Sequence, residues 1–499
     1  MARMRIAAAA LCTRGTGAAL EVLLARRAPE LRFFGGYDAF PGGVLDPEDG
    51  VADDEEALAA ATLRAAVREV FEETGLLPAG FEDLLAEEER ADVRRGLLAG
   101  DTDAAAIFRT AVDRTPAVLE ALRPLGWLTT PPFAPVRYRT RFLHVPIAEG
   151  ARPDPCGGEI VQARFERPGE ALASWIRGER LIVPPVLWQL RHLEDEGLDA
   201  FLEAQPARCA AHEAGRLHRI RSAPGVWMAA LRTPTLPPAT TTNTYVVGEE
   251  RLVVIDPATP EAGEQERLFE LLDALQAEGR RVERVLVTHH HHDHVGAVQA
   301  TAERYQVPVA AHPLTLERLP HAPREAQALE DSARIELGSA PDGSAGWHLE
   351  ALHTPGHDRG HLAFLESRYR SVFLGDLAST VSTIVIDPPE GHLATYLASL
   401  RRVAGHDLGR GHPAHGPVAR EATALLEHYL EHRGRREDKL VAALAADPRD
   451  EDALVVEVYD DADPRVRPLA RRSLRAGLEK LAEEGRAREA SPGRWARVS

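Results

Sequence analysis

The spacing of apolar and polar positions changes several times along the chain, and each change predicts an element. Short apolar runs at Ile6 to Leu11 and Leu20 to Ala25, separated by Cys12-Thr13-Arg14-Gly15 and further polar residues, predict two paired strands. An acidic, alanine-rich stretch then predicts a helix. Between residues 81 and 124 apolar positions such as Leu84, Leu85, Val93, Leu97 and Leu98 recur among charges, the pattern of amphipathic helices. Residues 166 to 204 are helix-rich. Further on, Thr241 to Gly248 alternates and Leu252 to Ile255, before Asp256-Pro257, is continuously apolar, which predicts a strand hairpin. A helix is expected over Glu264 to Glu278, and the run Arg284-Val285-Leu286-Val287 reads as a buried strand. The tail predicts helices beginning at Glu427, at Val455 and over Arg467 to Glu484, then a hairpin from Ala487 to Val498.

A chain of 499 residues is too long for one core. The pattern divides it at 1–205, 216–420 and 421–499, with a linker near Gln205-Pro206 to Gly215. No apolar run approaches the roughly 20 residues a membrane span needs. The Met1 to Leu11 segment superficially suggests a secretion signal, but it runs directly into a second strand, so a hairpin of the mature fold is expected. Cys12, Cys156 and Cys209 are too few and scattered for a disulfide framework, which fits a reducing cytoplasm. The formal net charge of −18 argues against broad attraction to phosphate backbones.

The densest chemistry is Thr288-His289-His290-His291-His292-Asp293-His294, placed directly after a buried strand. Imidazoles and a carboxylate delivered into one tight loop suit borderline-soft metal ions. The spacing His-x-His-x-Asp-His resembles the signature of the metallo-β-lactamase superfamily. Three later segments match that family in order: Thr354-Pro355-Gly356-His357, Phe373-Leu374-Gly375-Asp376 and Pro413-Ala414-His415-Gly416-Pro417, the last with Ala414 where the family usually has glycine. The resemblance implies an αββα sandwich and a two-ion site. His289, His291 and His357 would hold one ion, and Asp293, His294 and His415 the other, with Asp376 bridging. It implies two Zn²⁺, with iron or manganese as alternatives, and hydrolysis by a shared hydroxide, in which Asp293 is also a catalytic residue. His290, His292, His312, His353 and His361 are left as surface or supporting residues. Asp256, Asn243 and Tyr245 are assigned structural roles.

A second candidate site lies on the early helix. Glu69, Glu72 and Glu73 are spaced i, i+3 and i+4 and share a face, and three adjacent carboxylates repel unless a hard cation joins them. Gly42-Gly43-Val44-Leu45-Asp46 followed by Arg68-Glu69-Val70-Phe71-Glu72-Glu73-Thr74-Gly75-Leu76 resembles the Nudix box, in a longer form with Ala60 where the family places its first glutamate. The resemblance, nearest to the coenzyme A diphosphatase branch, implies an α/β/α fold, Mg²⁺ or Mn²⁺ held by Glu69, Glu72 and Glu73, and Arg68 orienting the carboxylates. The tail resembles a small winged-helix domain that follows the lactamase in the group resembling lactamase-β-like protein 2.

The expected protein is therefore an α/β multidomain hydrolase. A binuclear site would cleave an ester, thioester or phosphodiester, and a Nudix site would cleave a nucleoside diphosphate derivative such as CoA or acyl-CoA. Small molecules, CoA-linked ones among them, rank above nucleic acid as partners, and no membrane partner is expected. Two alternatives stand beside this reading. One is a single-strand endoribonuclease whose tail, through Arg471, Arg472 and Arg475, holds RNA; the other is a non-catalytic nucleotide-sensing regulator.

Overall fold

The computed structural model describes residues 4–50, 54–131, 134, 136–155, 157–214 and 220–498. The chain forms two compact units, Met1–Pro224 and Gly225–Ser499.

In the first unit the strand Arg5–Arg14 is central. It pairs parallel with Tyr138–Pro146 and antiparallel with Glu21–Arg27 and Gly42–Val44. Because side chains alternate across a strand, Ala8, Ala10 and Cys12 pack on one face beneath Val67, Val70 and Phe71 of the Glu55–Thr74 helix. Leu11 packs on the other face with Trp175 and Leu187 of the helices Pro168–Ile176 and Pro184–Glu196. The result is the expected α/β/α layering. The Glu55–Thr74 helix starts where the Asp54 carboxylate accepts from the Ala57 N–H at 2.8 Å and stops at left-handed Gly75. The helices predicted within 81–124 are present at Glu87–Leu98, Thr102–Arg114 and Ala117–Glu120.

One expectation about this unit is corrected. The described part of the segment, 205–214, is not an extended linker: the Leu198–Glu213 helix continues through Pro206, and Phe201 and Cys209 are buried in the same core as Leu125, while Gly215 lies outside the described residues. A proline break is tolerated there because the helix is held by packing, and the division between units falls near residue 224 instead.

The second unit contains two sheets. In one, Arg251–Ile255, Arg281–Leu286 and Val309–Ala311 run parallel, joined by the helices Ala262–Ala277 and Val298–Tyr305, while Thr241–Val247 pairs antiparallel with Arg251–Ile255. The other orders Arg334–Gly338, Trp347–His353, Leu362–Glu366, Val372–Gly375 and Gly411–Pro413. Tyr245 of the first sheet lies 5.2 Å from Phe373 and 5.3 Å from His412 of the second, so the sheets meet face to face. Helices cover the outer faces, among them Leu393–Ala404 against the second sheet. This is the αββα sandwich.

The tail has the predicted three helices, Ala422–Ala443, Glu451–Val458 and Arg467–Glu483, and a terminal hairpin of Ala487–Ser491 with Arg494–Arg497. Just after the expected border at 420/421 begins the 22-residue Ala422–Ala443 helix, which serves both parts. Leu426 and Tyr429 belong to the sandwich core, and Leu440 and Ala443 to the core of the tail. A helix that buries both ends in different cores joins them as one packed unit.

Candidate functional site

The histidine-rich loop begins where the strand Arg281–Leu286 ends, and Asp293 and His294 sit on the one-turn helix His292–Val295. Asp376 follows the strand Val372–Gly375, and His415 follows Gly411–Pro413. All the ligands expected from the sequence therefore leave strand ends on one side of the sandwich. Gly375 is required by close approach: it has φ +50°, and a Cβ there would lie 2.6 Å from His361 Nε2 and 2.9 Å from Thr288 Cβ.

The predicted residues converge. His291 Nδ1 lies 3.0 Å from His289 Nε2 and 3.0 Å from His357 Nε2. Asp376 points Oδ2 at His357 Nε2, 3.4 Å away, and Oδ1 at His294 Nε2 (3.5 Å) and His415 Nε2 (3.3 Å). Asp293 Oδ2 is 3.6 Å from His415 Nε2. Asp376 thus stands between a group of His289, His291 and His357 and a group of Asp293, His294 and His415, the two sets expected to hold one ion each.

The outer nitrogens explain which lone pairs face inward. His357 Nδ1–H donates to the Val385 carbonyl at 2.9 Å, His415 Nδ1–H to the Thr241 carbonyl at 3.1 Å, and His294 Nδ1–H to Asp256 Oδ2 at 2.9 Å. Thr288 Oγ1 donates to Asp256 at 2.6 Å and so accepts from His289 Nδ1–H at 3.0 Å. In its neutral form each of these four imidazoles is held in the tautomer that presents the Nε2 lone pair to the centre; for His294 and His415 burial is outweighed by Asp376, which raises both above the ordinary histidine range, so a cation at either Nε2 would replace a proton. His291 Nδ1 lies 3.0 Å from both His289 Nε2 and His357 Nε2, close to the spacing of ligands on one ion, since nitrogens bound at about 2.0–2.1 Å to a tetrahedral ion are about 3.3 Å apart. His294 Nε2 and Asp376 Oδ1 are buried without any hydrogen-bond partner. The donor set and the orphaned atoms fit divalent metal ions.

Burial and neighbouring imidazoles push His289 well below the ordinary histidine range and His291 to about 4, so both are neutral donors at physiological pH. Burial favours the neutral carboxyl of Asp376, but His415 and His294 outweigh it and hold the group ionised.

The residues given structural or supporting roles in the sequence acquire specific partners. Asp256, given only a structural role there, accepts from both Thr288 and His294 and adopts φ +48°, a strained conformation for a non-glycine residue. His361 is buried, bonded to Thr354 Oγ1 at 2.7 Å, and its Nε2 accepts the Asp376 N–H at 3.0 Å. Asn243 Nδ2 donates to the Pro413 and Gly416 carbonyls at 3.0 and 2.8 Å, bracing the His415 loop, and Ala414 fits there with no positive φ. His290 pairs with Asp358 at 2.5 Å, His312 stacks on His353 at 4.3 Å, and His292 is exposed.

The cluster forms the floor of a cleft of about 420 Å³. One wall comes from Pro234 to Ala239 and Ser382 to Val385. The other comes from the tail and the helix leading into it, including His432, Arg433, Arg436, Tyr459 and Arg472. The winged-helix part is therefore a wall of the site.

In the first unit the predicted Arg68 is central: its guanidinium contacts Asp49 at 2.9 Å, Glu69 at 3.0 Å and Glu72 at 2.9 Å. Asp49, on the Pro47–Asp49 turn, supplies the acidic partner; position 60, an alanine, contributes none. At Gly43 a Cβ would lie 2.3 Å from Glu69 Oε1, so a larger residue there would displace that carboxylate. Burial, opposed by Arg68 and reinforced by Glu72, raises Glu69 to about 8, and burial together with Glu69 raises Glu73 well above the carboxylate range. Glu73 is turned away, accepting the Gly42 N–H at 3.1 Å. Among the described residues no three acidic groups of this unit approach one another as closely as the histidine–aspartate sets do. The crowded, high-pKa carboxylates suit a hard cation in charge, while Arg68 provides the neutralisation present in this arrangement.

Both candidate sites fall within segments that match known domain families. The metallo-β-lactamase superfamily model matches residues 237–443, the β-lactamase-associated winged helix domain 451–495 and the NUDIX domain 3–121. Lactamase-like protein ptaB of Pestalotiopsis fici is 30% identical over 255 residues, 49% of this chain and 75% of its own length. A β-lactamase-like protein 2 homolog of Drosophila melanogaster is 27% identical, covering 50% and 84%. An atrochrysone carboxyl ACP thioesterase of Passalora fulva is 30% identical, covering 41% and 57%. The chain is a metal-dependent hydrolase that joins a NUDIX domain, a metallo-β-lactamase superfamily domain and the winged helix domain associated with it, in that order. Among the described residues no helix is long and apolar enough to cross a membrane.

Proposed function

We propose that the second unit hydrolyses an ester or thioester of a small molecule at the histidine–aspartate cluster, and that the NUDIX unit cleaves a nucleoside diphosphate derivative of the same substrate class, such as CoA or an acyl-CoA. The observation that carries the reading is the inward convergence of His289, His291, His294, His357 and His415 around Asp376, at the floor of a cleft. Two divalent ions, zinc by the nitrogen-rich donor set and iron or manganese as alternatives, would supply Lewis acidity and activate water for attack. The chain's own part is to fix the geometry: Asp256, Thr241 and Val385 orient the imidazoles, and Asp293 presents a carboxylate beside His415. In the NUDIX unit Arg68 orients Glu69 and Glu72, and with Glu73 these would hold Mg²⁺ or Mn²⁺.

The thioester choice is supported by the relative named as an ACP thioesterase. The tail supports a small substrate over RNA, since its arginines are spent on carboxylates: Arg471 on Asp452 at 3.3 Å, Arg472 on Asp387 at 3.0 Å and Arg475 on Glu479 at 3.2 Å. Two buried free thiols, Cys12 and Cys209, suit a reducing cytoplasm; Cys156 lies outside the described residues. The test is parallel hydrolysis of acyl-CoA thioesters, CoA and labelled single-stranded RNA with wild type, His291→Ala and Glu72→Gln. Thioester cleavage is lost only in His291→Ala and diphosphate cleavage only in Glu72→Gln. Cleavage of RNA alone, dependent on His291, would sink the reading.

A further inference from the structure

Arg433 is a buried cation that the cleft leaves without a counter-charge. It lies on the Ala422–Ala443 helix, is 8% exposed and lines the cleft together with His291, Asp293, His357 and His415. One of its terminal nitrogens donates to the Ile384 carbonyl, and the guanidinium sits 5.5 Å from the centroid of the Tyr396 ring. Its Nε is buried with no hydrogen-bond partner, and the neighbouring His432 Nδ1 shares that condition. Among the described residues no carboxylate forms an ion pair with Arg433. The other charges of the cleft wall are matched, Arg436 by Asp461 at 2.8 Å and Arg472 by Asp387 at 3.0 Å, while Glu390 pairs with Arg318.

A guanidinium cannot shed its proton to escape burial. Withdrawn from water without a carboxylate, it is strongly disfavoured unless something else supplies the negative charge. The cleft has the volume of a small-molecule site, and an anion in it would give the Arg433 guanidinium a charge-assisted hydrogen bond. We infer that Arg433 anchors a carboxylate or phosphate group of the substrate whose ester or thioester bond lies against the histidine–aspartate cluster. This rests on the hydrolase reading above and narrows its substrate to anion-bearing esters.

The test uses the metal-loaded full chain and three thioesters: neutral S-phenyl thioacetate, S-phenyl thiohemisuccinate with a carboxylate, and acetyl-4′-phosphopantetheine with a phosphate. In Arg433→Met, KM for the anionic substrate that the site accepts rises about ten- to a hundredfold, while the neutral one changes by less than about twofold. Arg433→Lys recovers part of the loss, and it keeps the test open if the methionine variant does not fold. Which of the two anionic thioesters suffers more distinguishes carboxylate from phosphate. Calorimetric titration with inorganic phosphate and with succinate needs no turnover: the wild type binds at least one of them, and Arg433→Met loses that binding at unchanged metal content. Equal loss on all three thioesters, or unaltered anion binding in the variants, overturns the inference. If the wild type hydrolyses none of the thioesters yet binds an anion through Arg433, the reaction class fails and the anion site stands.

Discussion

The two candidate centres solve the problem of concentrated charge in opposite ways. In the second unit the donors are imidazoles whose outer nitrogens are tied to Thr288, Asp256, Val385 and Thr241, so the inner nitrogens converge around Asp376. In the NUDIX unit the donors are carboxylates gathered around Arg68, a cation the chain supplies itself. The first centre is preorganised for a guest; the second already has a resident neutraliser that a guest must share. Loss of Arg68 should therefore damage the fold, whereas loss of an outer clamp should damage guest binding.

The largest effect comes from the carboxylate side. Arg68→Met leaves Asp49, Glu69 and Glu72 crowded without their cation, and breaking such a buried set costs about 3–5 kcal/mol. Urea unfolding should show the NUDIX transition shifted by that amount, with the other unit's midpoint unchanged. Equal shifts in both would break the comparison.

Next is a pH effect confined to the same unit. His144 is buried beside Thr13, 2.8 Å away, and burial, helped by Arg123, lowers it to about 4. The unfolded chain, with an ordinary histidine, binds the proton first, so the contribution is present above about pH 6.5 and is lost as pH falls toward 4. About 3 kcal/mol is at stake. His144→Gln should flatten the stability profile of the NUDIX transition between those limits.

A smaller effect tests the clamps. Asp256→Asn removes a charged acceptor from Thr288 and His294 and should weaken metal binding about 10- to 100-fold, measured by competition with a chromophoric chelator. Unfolding midpoints of the metal-free protein should move far less than in Arg68→Met. The smallest effect is on the tail surface, where Arg475→Ala removes an exposed pair with Glu479 and should change stability by no more than about 0.5 kcal/mol.

The alternating strands, the Glu55–Thr74 helix and the ligand residues of both sites were readable because they follow local geometry. Period 2 separates Ala8 and Ala10 from Leu11, and helical spacing brings Glu69 and Glu72 to Arg68 while Glu73 turns to the Gly42 N–H. The loop His289 to His294 is dense enough in donors to declare its chemistry without neighbours. The same reasoning failed where packing overrode local rules, as at Pro206 inside a helix and along the Ala422–Ala443 helix shared between two cores.

The sequence by itself thus determined the order of elements, the family resemblances and the candidate donors, because residue type and short spacing carry that information. Only the tertiary structure decided which imidazole nitrogen faces inward, that Asp256 and two backbone carbonyls hold the ligands, that Asp49 partners Arg68 in place of position 60, and that Arg433 is buried without a carboxylate. Each depends on contacts between residues distant in the chain. A backbone carbonyl is present at every position, and the lack of a partner has no sequence signature; packing alone selects among them.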